Sequence, residues 1–195
     1  MDETRQTFLD ELYASGRAYD EQREDRLLRL RNVEPETAEL LGVLVRAMNA
    51  TRVLEIGTSN GYSTIWLGDA AEAVGGTVLS LEIEADRTAQ ATENVAEAGV
   101  GEFVELRTQD AAEALRSFAD GAFDLIFLDA ERPYYTGYWP DLIRALRPNG
   151  LLVVDNTLSH AKELVEFSEL VYSDPAVTST LVTVGAGVLL IVKAP

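Results

Sequence analysis

Three residues in this 195-residue chain place oxygen donors at the ends of two strongly apolar runs. Phe123-Asp-Leu-Ile-Phe-Leu128 runs into Asp129, and Leu151-Leu-Val-Val154 runs into Asp155-Asn156. Apolar runs of this kind read as strands buried on both faces of a parallel sheet. The carboxyl ends of such strands emerge on one edge, where ligands bind. Asp129, Asp155 and Asn156 offer oxygen and no sulfur, a set suited to Mg²⁺, Mn²⁺ or Ca²⁺. A divalent ion held there could grip two neighbouring hydroxyls and lower the pKa of one, making an oxyanion nucleophile at neutral pH.

A second chemical stretch is Thr51-Arg-Val-Leu-Glu-Ile-Gly-Thr-Ser-Asn-Gly-Tyr-Ser-Thr64. Val53, Leu54 and Ile56 form a short buried strand, and Gly57-Thr-Ser-Asn-Gly61 is a tight turn. A helix opens at Tyr62-Ser63-Thr64. Strand, glycine turn and helix N-terminus together make a site for a nucleotide-like ligand. The spacing is Glu55-x-Gly57-x-x-x-Gly61, unlike the three-glycine dinucleotide pattern. Glu55 would repel a pyrophosphate and suits a cationic ligand. Glu82 ends the next strand, Thr77–Leu81, about twenty residues past the turn, where an acid can accept both ribose hydroxyls. A nicotinamide-dependent dehydrogenase would share these elements, but neither its third glycine nor a Ser/Tyr/Lys catalytic set is evident.

The acid, the glycine pair and the flanking strand and helix resemble motif I of the class I S-adenosylmethionine-dependent methyltransferases. Phe123–Ala130 followed by Val153-Val-Asp-Asn-Thr-Leu158 is similar to the metal-dependent O-methyltransferases related to catechol and caffeoyl-CoA methyltransferases. The likeness runs from about Val33 to the C-terminus. It implies S-adenosylmethionine as cofactor, a divalent cation on Asp129, Asp155 and Asn156, and a small-molecule acceptor such as a vicinal diol. It further implies cofactor contacts from Glu55, Gly57, Thr58, Ser63, Glu82 and Ala111, a backbone contact at Val33, and Glu131 and Asp129 near the cofactor amine. Asp110 falls beside the adenine position, or is an ordinary helix N-cap. Where the family often shows Asp-Ala-Asp-Lys, this chain reads Asp129-Ala-Glu-Arg132. Arg132 cannot act as a base; it can orient or neutralise charge. The single histidine, His160, matches a substrate-contacting position. It, or a water on the cation, could take the proton, or it merely caps the last helix. Two further readings are a metal-independent methyltransferase with Asp129 as base, and a non-catalytic S-adenosylmethionine-binding module.

The elements positioning these residues follow from periodicity. Residues 2–31 read as amphipathic helix interrupted near Gly16, carrying Phe8, Leu9, Leu12, Tyr13, Leu27 and Leu28. Pro35 opens a second helix. Residues 84–98 are helical, Phe103–Arg107 is a strand, and a helix begins near Asp110. Tyr134, Tyr135, Tyr138 and Trp139 either wall an acceptor pocket or pack a helix. The last helix is expected over Ser159–Val171, before a hairpin of Val177–Val184 and Val188–Val192. The expected fold is α/β, a Rossmann-like methyltransferase sandwich. Its seven-stranded, mostly parallel sheet has an antiparallel C-terminal hairpin strand and helices on both faces. Residues 1–195 are expected to form a single domain: 1–34 a helical cap or dimerisation segment, 35–195 the cofactor-binding core.

A net charge of −17 argues against nucleic acid and anionic membranes as partners. No apolar run is long enough to span a bilayer, and Met1-Asp-Glu-Thr-Arg-Gln6 is unlike a signal peptide. There is no cysteine for disulfides or thiolate metal sites. A cytoplasmic homodimer is the expectation.

Overall fold

The computed structural model describes residues 1–195. Helix α1 (Glu3–Glu21) and α2 (Pro35–Met48) precede the sheet strands β1 (Arg52–Ile56), β2 (Thr77–Glu82), β3 (Val104–Thr108), β4 (Phe123–Leu128), β5 (Leu146–Val154), β6 (Val177–Val182) and β7 (Val188–Lys193). Between them lie α3 (Tyr62–Val74), α4 (Ala85–Glu97), α5 (Ala111–Ser117), α6 (Tyr135–Ala145) and α7 (Val165–Ser173). The seven strands form one sheet in the order β3-β2-β1-β4-β5-β7-β6. The first five pair in parallel, and β7 lies antiparallel between β5 and β6. This is the expected fold.

Strand order reverses between β1 and β4, which makes a crevice at their carboxyl ends. Register brings the chemistry to that crevice. Ile56 pairs with Leu128, and Leu128 with Val154. The residues that follow are tied across the same edge: Asp129 N–H donates to Ile56 O (3.0 Å) and Asp155 N–H to Leu128 O (3.3 Å).

Alternation along the strands builds a core on each face. Val53, Leu125, Phe127, Leu151 and Val153 meet α1, α2 and α3. Leu54, Ile56, Ile126, Leu128, Leu152 and Val154 meet α5, α6 and α7. All six residues of β4 are buried, so this strand is the spine of both cores. Each fully buried Leu, Ile or Phe stabilises the fold by about 1.5–3 kcal/mol.

The structure corrects four sequence expectations. Gly16 does not interrupt α1. It lies buried within the helix, where a Cβ would fall 2.6 Å from Asn32 Nδ2, so it permits close approach of the following loop. Leu27 and Leu28 are exposed and lie in a short 3-10 turn outside α1. The strand carrying the apolar run Leu151–Val154 begins earlier, at Leu146, and takes in Pro148-Asn-Gly150 as an irregular part, with a register shift against β4 and Asn149 at φ +55°. The last helix begins at Val165, six residues later than expected. The chain from Thr157 is instead tied as turns to the β6–β7 loop, through Thr157, Leu158 and Ser159 N–H groups donating to Gly187 and Ala186 carbonyls.

Candidate active site

The glycine turn is built by close backbone packing. Gly57 has φ +107°, and a Cβ there would lie 2.0 Å from the Asp129 carbonyl oxygen. Gly61, at φ +89°, starts α3 against Ala91. Only glycine fits both demands at Gly57, a left-handed backbone and no room for a side chain. The turn is then pulled onto β2: Ser59 N–H donates to Glu82 Oε2 (2.8 Å), while Ile83 and Glu84 N–H hold Oε1 at 2.9 and 3.0 Å. Glu82 is therefore fixed at the crevice, 7% exposed, by three backbone donors.

Glu55 behaves differently from an open ligand for a cation. It is fully buried beneath the turn. It accepts from Ser63 Oγ (2.6 Å), Ser80 Oγ (2.5 Å) and Thr64 Oγ1. Burial pushes its carboxyl up to about 7, against the opposing pull of those hydroxyls. Glu55 thus ties β1 to the first turn of α3. Direct contact with a cofactor would require one of the hydroxyls to give way. Thr58 is equally buried, its Oγ1 2.5 Å from Ser80 Oγ, and Ser63 is nearly so. Val33 is buried just before α2, and Ala111 is partly exposed at the start of α5. Asp110 does cap α5, accepting from Glu113 N–H at 2.9 Å through Oδ1.

The oxygen-donor trio converges. Asn156, held at φ +64°, donates Nδ2–H to Asp129 Oδ1 (2.9 Å) and to Asp155 Oδ2 (3.2 Å). Asp155 is 2% exposed, and its buried Oδ1 has no donor. Burial raises the pKa of Asp129. Burial and then the Asp129 charge raise that of Asp155. Two carboxylates share one crevice with a single amide between them, and Arg31 and Arg132, acting on Asp129 from outside the trio, do not offset its burial. To serve as an oxygen ligand, Asn156 must present Oδ1 in place of Nδ2. An open depression of about 680 Å³, bordered by Glu34, Ser159, Val184 and Ala186, adjoins the trio through Ser159 Oγ, which donates to Asn156 O.

Arg132 is 5% exposed and donates Nε–H to Glu163 Oε2 at 2.7 Å. Glu131 pairs with Arg31 Nη2 (2.7 Å), which, with the flanking arginines, holds its carboxyl below the usual value despite burial. His160 is partly buried, with Nδ1 2.9 Å from Ser159 Oγ. Desolvation first, then Arg132, lowers its pKa, leaving the ring neutral at pH 7. It does not cap a helix, because none starts there. The aromatic cluster divides. Tyr135 and Trp139 pack in the core, and the Tyr135 hydroxyl pins Ala130 N and O (2.9 and 3.0 Å). Tyr134 and Tyr138 stack outside it, ring centroids 6.1 Å apart.

Sequence reasoning missed Arg26, Arg31, Ser59, Thr64 and Ser80. The last two were findable as hydroxyls one strand or one turn from a buried acid. The arginines come from the irregular stretch before α2, where no periodicity marks direction.

A switch-point sheet with an acid-bearing glycine turn and acids at adjacent strand ends defines a Rossmann-like fold of the methyltransferase class. The O-methyltransferase family model matches residues 20–194, and the chain belongs to that family. It is 36% identical over 149 residues to a catechol O-methyltransferase of Niastella koreensis, covering 75% of this chain. It is 37% identical over 134 residues to one of Mycobacterium tuberculosis, covering 69%. The alignments span 65% and 60% of those two enzymes, so the chain matches under two thirds of their length. The O-methyltransferase of Bacillus cereus, solved in complex with SAH, superposes with a TM-score of 0.80 at 26% identity, covering 96% of this chain and 90% of that one.

Proposed function

We propose that this chain transfers a methyl group from S-adenosylmethionine to a hydroxyl of a small vicinal diol of the catechol type, assisted by a divalent cation. The observation that carries the metal-assisted reading is the buried, unpartnered Oδ1 of Asp155 beside Asp129 and Asn156. These donors fit Mg²⁺ or Mn²⁺, being oxygens of two carboxylates and an amide, one of them without a hydrogen-bond donor. A cation held by the three would lower the pKa of a bound diol hydroxyl.

The chain's own residues do the rest by positioning. Glu82 accepts the ribose hydroxyls. Gly57 and Thr58 shape the turn under the cofactor's amino-acid end, with Glu55 and Ser63 bracing it from below. Val33 contributes backbone, and Glu131 and Asp129 lie towards the amine. Asp110 and Ala111 border the adenine. Arg132 offsets charge at Asp129, and His160, neutral at pH 7, takes the hydroxyl proton. The named catechol O-methyltransferase relatives and the SAH-bound neighbour support this reading.

The same proposal has a single domain acting in the cytoplasm as a homodimer, with residues 1–34 as its cap or contact segment. No helix is long and apolar enough to cross a membrane. A metal-independent variant, with Asp129 as base, is favoured by one detail: Asn156 Nδ2 already faces both acids.

Calorimetry with S-adenosylhomocysteine, then catechol, in Mg²⁺ and in EDTA, separates the two. The expected result is catechol binding only with Mg²⁺, lost in Asp155→Ala while S-adenosylhomocysteine still binds. Catechol binding unaffected by EDTA would overturn the cation's role. For His160, the expected outcome is that His160→Gln loses the acidic limb of the pH–rate profile; an unchanged profile removes it from the reaction.

A further inference from the structure

The rim of the crevice beyond Asp129 is basic in an otherwise acidic protein of net charge −17. Three guanidinium groups meet there from two separate segments. Arg26 and Arg31 come from the irregular stretch between α1 and α2, and Arg132 from the turn after β4. Two carboxylates lie among them. Arg132 is locked, with 4% of its side chain exposed and a 2.7 Å bond to Glu163. Arg31 is committed to Glu131 at 2.7 Å. Arg26 is held least tightly: it bridges Glu131 and Glu163 through long contacts of 3.5 Å each, with 42% of its side chain exposed. Asp129 also draws on Arg31 and Arg132 from the side of the trio, so the arginine left for a further anion is Arg26, whose contacts are the longest. Glu163 N–H donates to His160 O (2.9 Å), and the His160 ring meets Ser159 Oγ, which donates to Asn156 O, so the basic rim borders the trio's end of the crevice.

Resting on the methyltransferase reading above, we infer that the acceptor is an acidic vicinal diol, whose carboxylate or comparable anionic substituent is received by Arg26 and backed by Arg31 and Arg132. Arginine suits this task because its planar fork binds a carboxylate through two parallel N–H donors. Glu163 then has a role besides holding Arg132. It competes with the incoming anion for Arg26, so an acceptor without negative charge finds that arginine already turned to the protein. The opposite side of the trio is acidic, with Glu34 and Glu36 bordering the depression there. That side would favour an ammonium-bearing diol. It is the weaker attractor, because Glu34 is already answered by the nearby Arg17 charge as well as by the Tyr13 hydroxyl.

The test is calorimetric affinity of the full chain, loaded with S-adenosylhomocysteine and Mg²⁺, for three diols: protocatechuate (carboxylate), catechol (neutral) and dopamine (ammonium). Protocatechuate should bind about fivefold or more tighter than catechol, with dopamine weakest, and the margin should shrink with added salt. Arg26→Gln should bring protocatechuate to within about twofold of catechol, and Glu163→Gln should widen the margin. Equal affinities, a preference for dopamine, or an Arg26→Gln margin like that of the wild type would overturn the inference while leaving the diol reading intact. Failure of all three diols to bind, with S-adenosylhomocysteine still bound, would overturn the diol reading and this inference with it.

Discussion

Two aspartates bracket strand β4, Asp124 near its start and Asp129 just past its end, at opposite edges of the sheet. At the amino edge Asp124 is saturated. Its Oδ2 accepts from Thr51 N–H (2.9 Å), Thr51 Oγ1 (3.1 Å) and Arg52 N–H (2.9 Å). Its Oδ1 accepts from Arg52 Nη2 (3.1 Å) and Arg147 Nε (2.8 Å). Although burial opposes it, these donors hold its carboxyl below the usual range. At the carboxyl edge Asp129 has Asn156 as its side-chain donor, and its neighbour Asp155 leaves one oxygen bare. Both are pushed up. One residue type bracketing one strand thus serves opposite ends. The amino edge is finished within the protein, and the carboxyl edge is left with a bare oxygen. An unmet demand of this kind marks where a ligand belongs.

The largest expected effect is at the finished end. Asp124→Ala should destabilise the protein by about 3 kcal/mol, because it strips a buried carboxylate from two arginines and two backbone donors. Chemical denaturation measures it. Asp124 has a depressed folded pKa. Its contribution is therefore fully present above its unfolded value and lost as pH falls through the folded one, so the wild-type advantage should vanish in acid. A loss under about 1 kcal/mol would break the contrast.

The opposite sign is expected at the unfinished end. Asp155→Asn should stabilise the ligand-free protein by about 1 kcal/mol, because it removes a buried charge with an unpartnered oxygen. The gain should grow as pH rises from the unfolded carboxylate value to the raised folded values of the pair, where the folded wild type keeps protons that the unfolded chain has released, and level off above them. Millimolar Mg²⁺ should raise the wild-type Tm and leave Asp155→Asn unmoved, as expected of a ligand that binds only the folded state. If Asp155→Asn proves as destabilising as Asp124→Ala, the two ends are equivalent and the reading of Asp155 as an open ligand fails.

The sequence makes much of this legible, for a physical reason. Buried parallel strands announce themselves as apolar runs, so Phe123–Leu128 and Leu151–Val154 could be placed, and the acids after them follow by register. The glycine turn is equally local, because its backbone and its lack of space are demands on single residues. Less legible is whatever depends on partners far along the chain. Asp124 interrupts an apolar run just as a surface acid would. Its partners lie more than seventy residues away at Thr51 and Arg52, and at Arg147 on β5. The arginine rim depends on Arg31 adopting φ +56°, which nothing in its neighbourhood dictates. The late start of α7 reflects backbone bonds from Thr157–Ser159 to the β6–β7 loop, a tertiary choice overriding local helical pattern.

Glu55 lies between these extremes and gives the smallest effect. Like Asp124 it is buried and fully hydrogen-bonded; like Asp155 its pKa is raised, to about 7. Its donors are three hydroxyls, which cannot match arginine as compensation for a desolvated charge. Because the folded pKa lies above the unfolded one, the folded state holds a proton that the unfolded state has released between about pH 4.5 and 7. Stability should therefore fall as pH rises across that interval and level off above it. Glu55→Gln, uncharged throughout, should lose that component of the slope and match or slightly exceed the wild type above neutrality, by no more than about 1 kcal/mol. Its affinity for S-adenosylhomocysteine decides what Glu55 is for. Affinity within about threefold of the wild type, or less than 1 kcal/mol, makes it a brace for the turn. A loss beyond tenfold at unchanged stability would return it to the ligand side of the comparison, as an acid that meets the cofactor's positive charge.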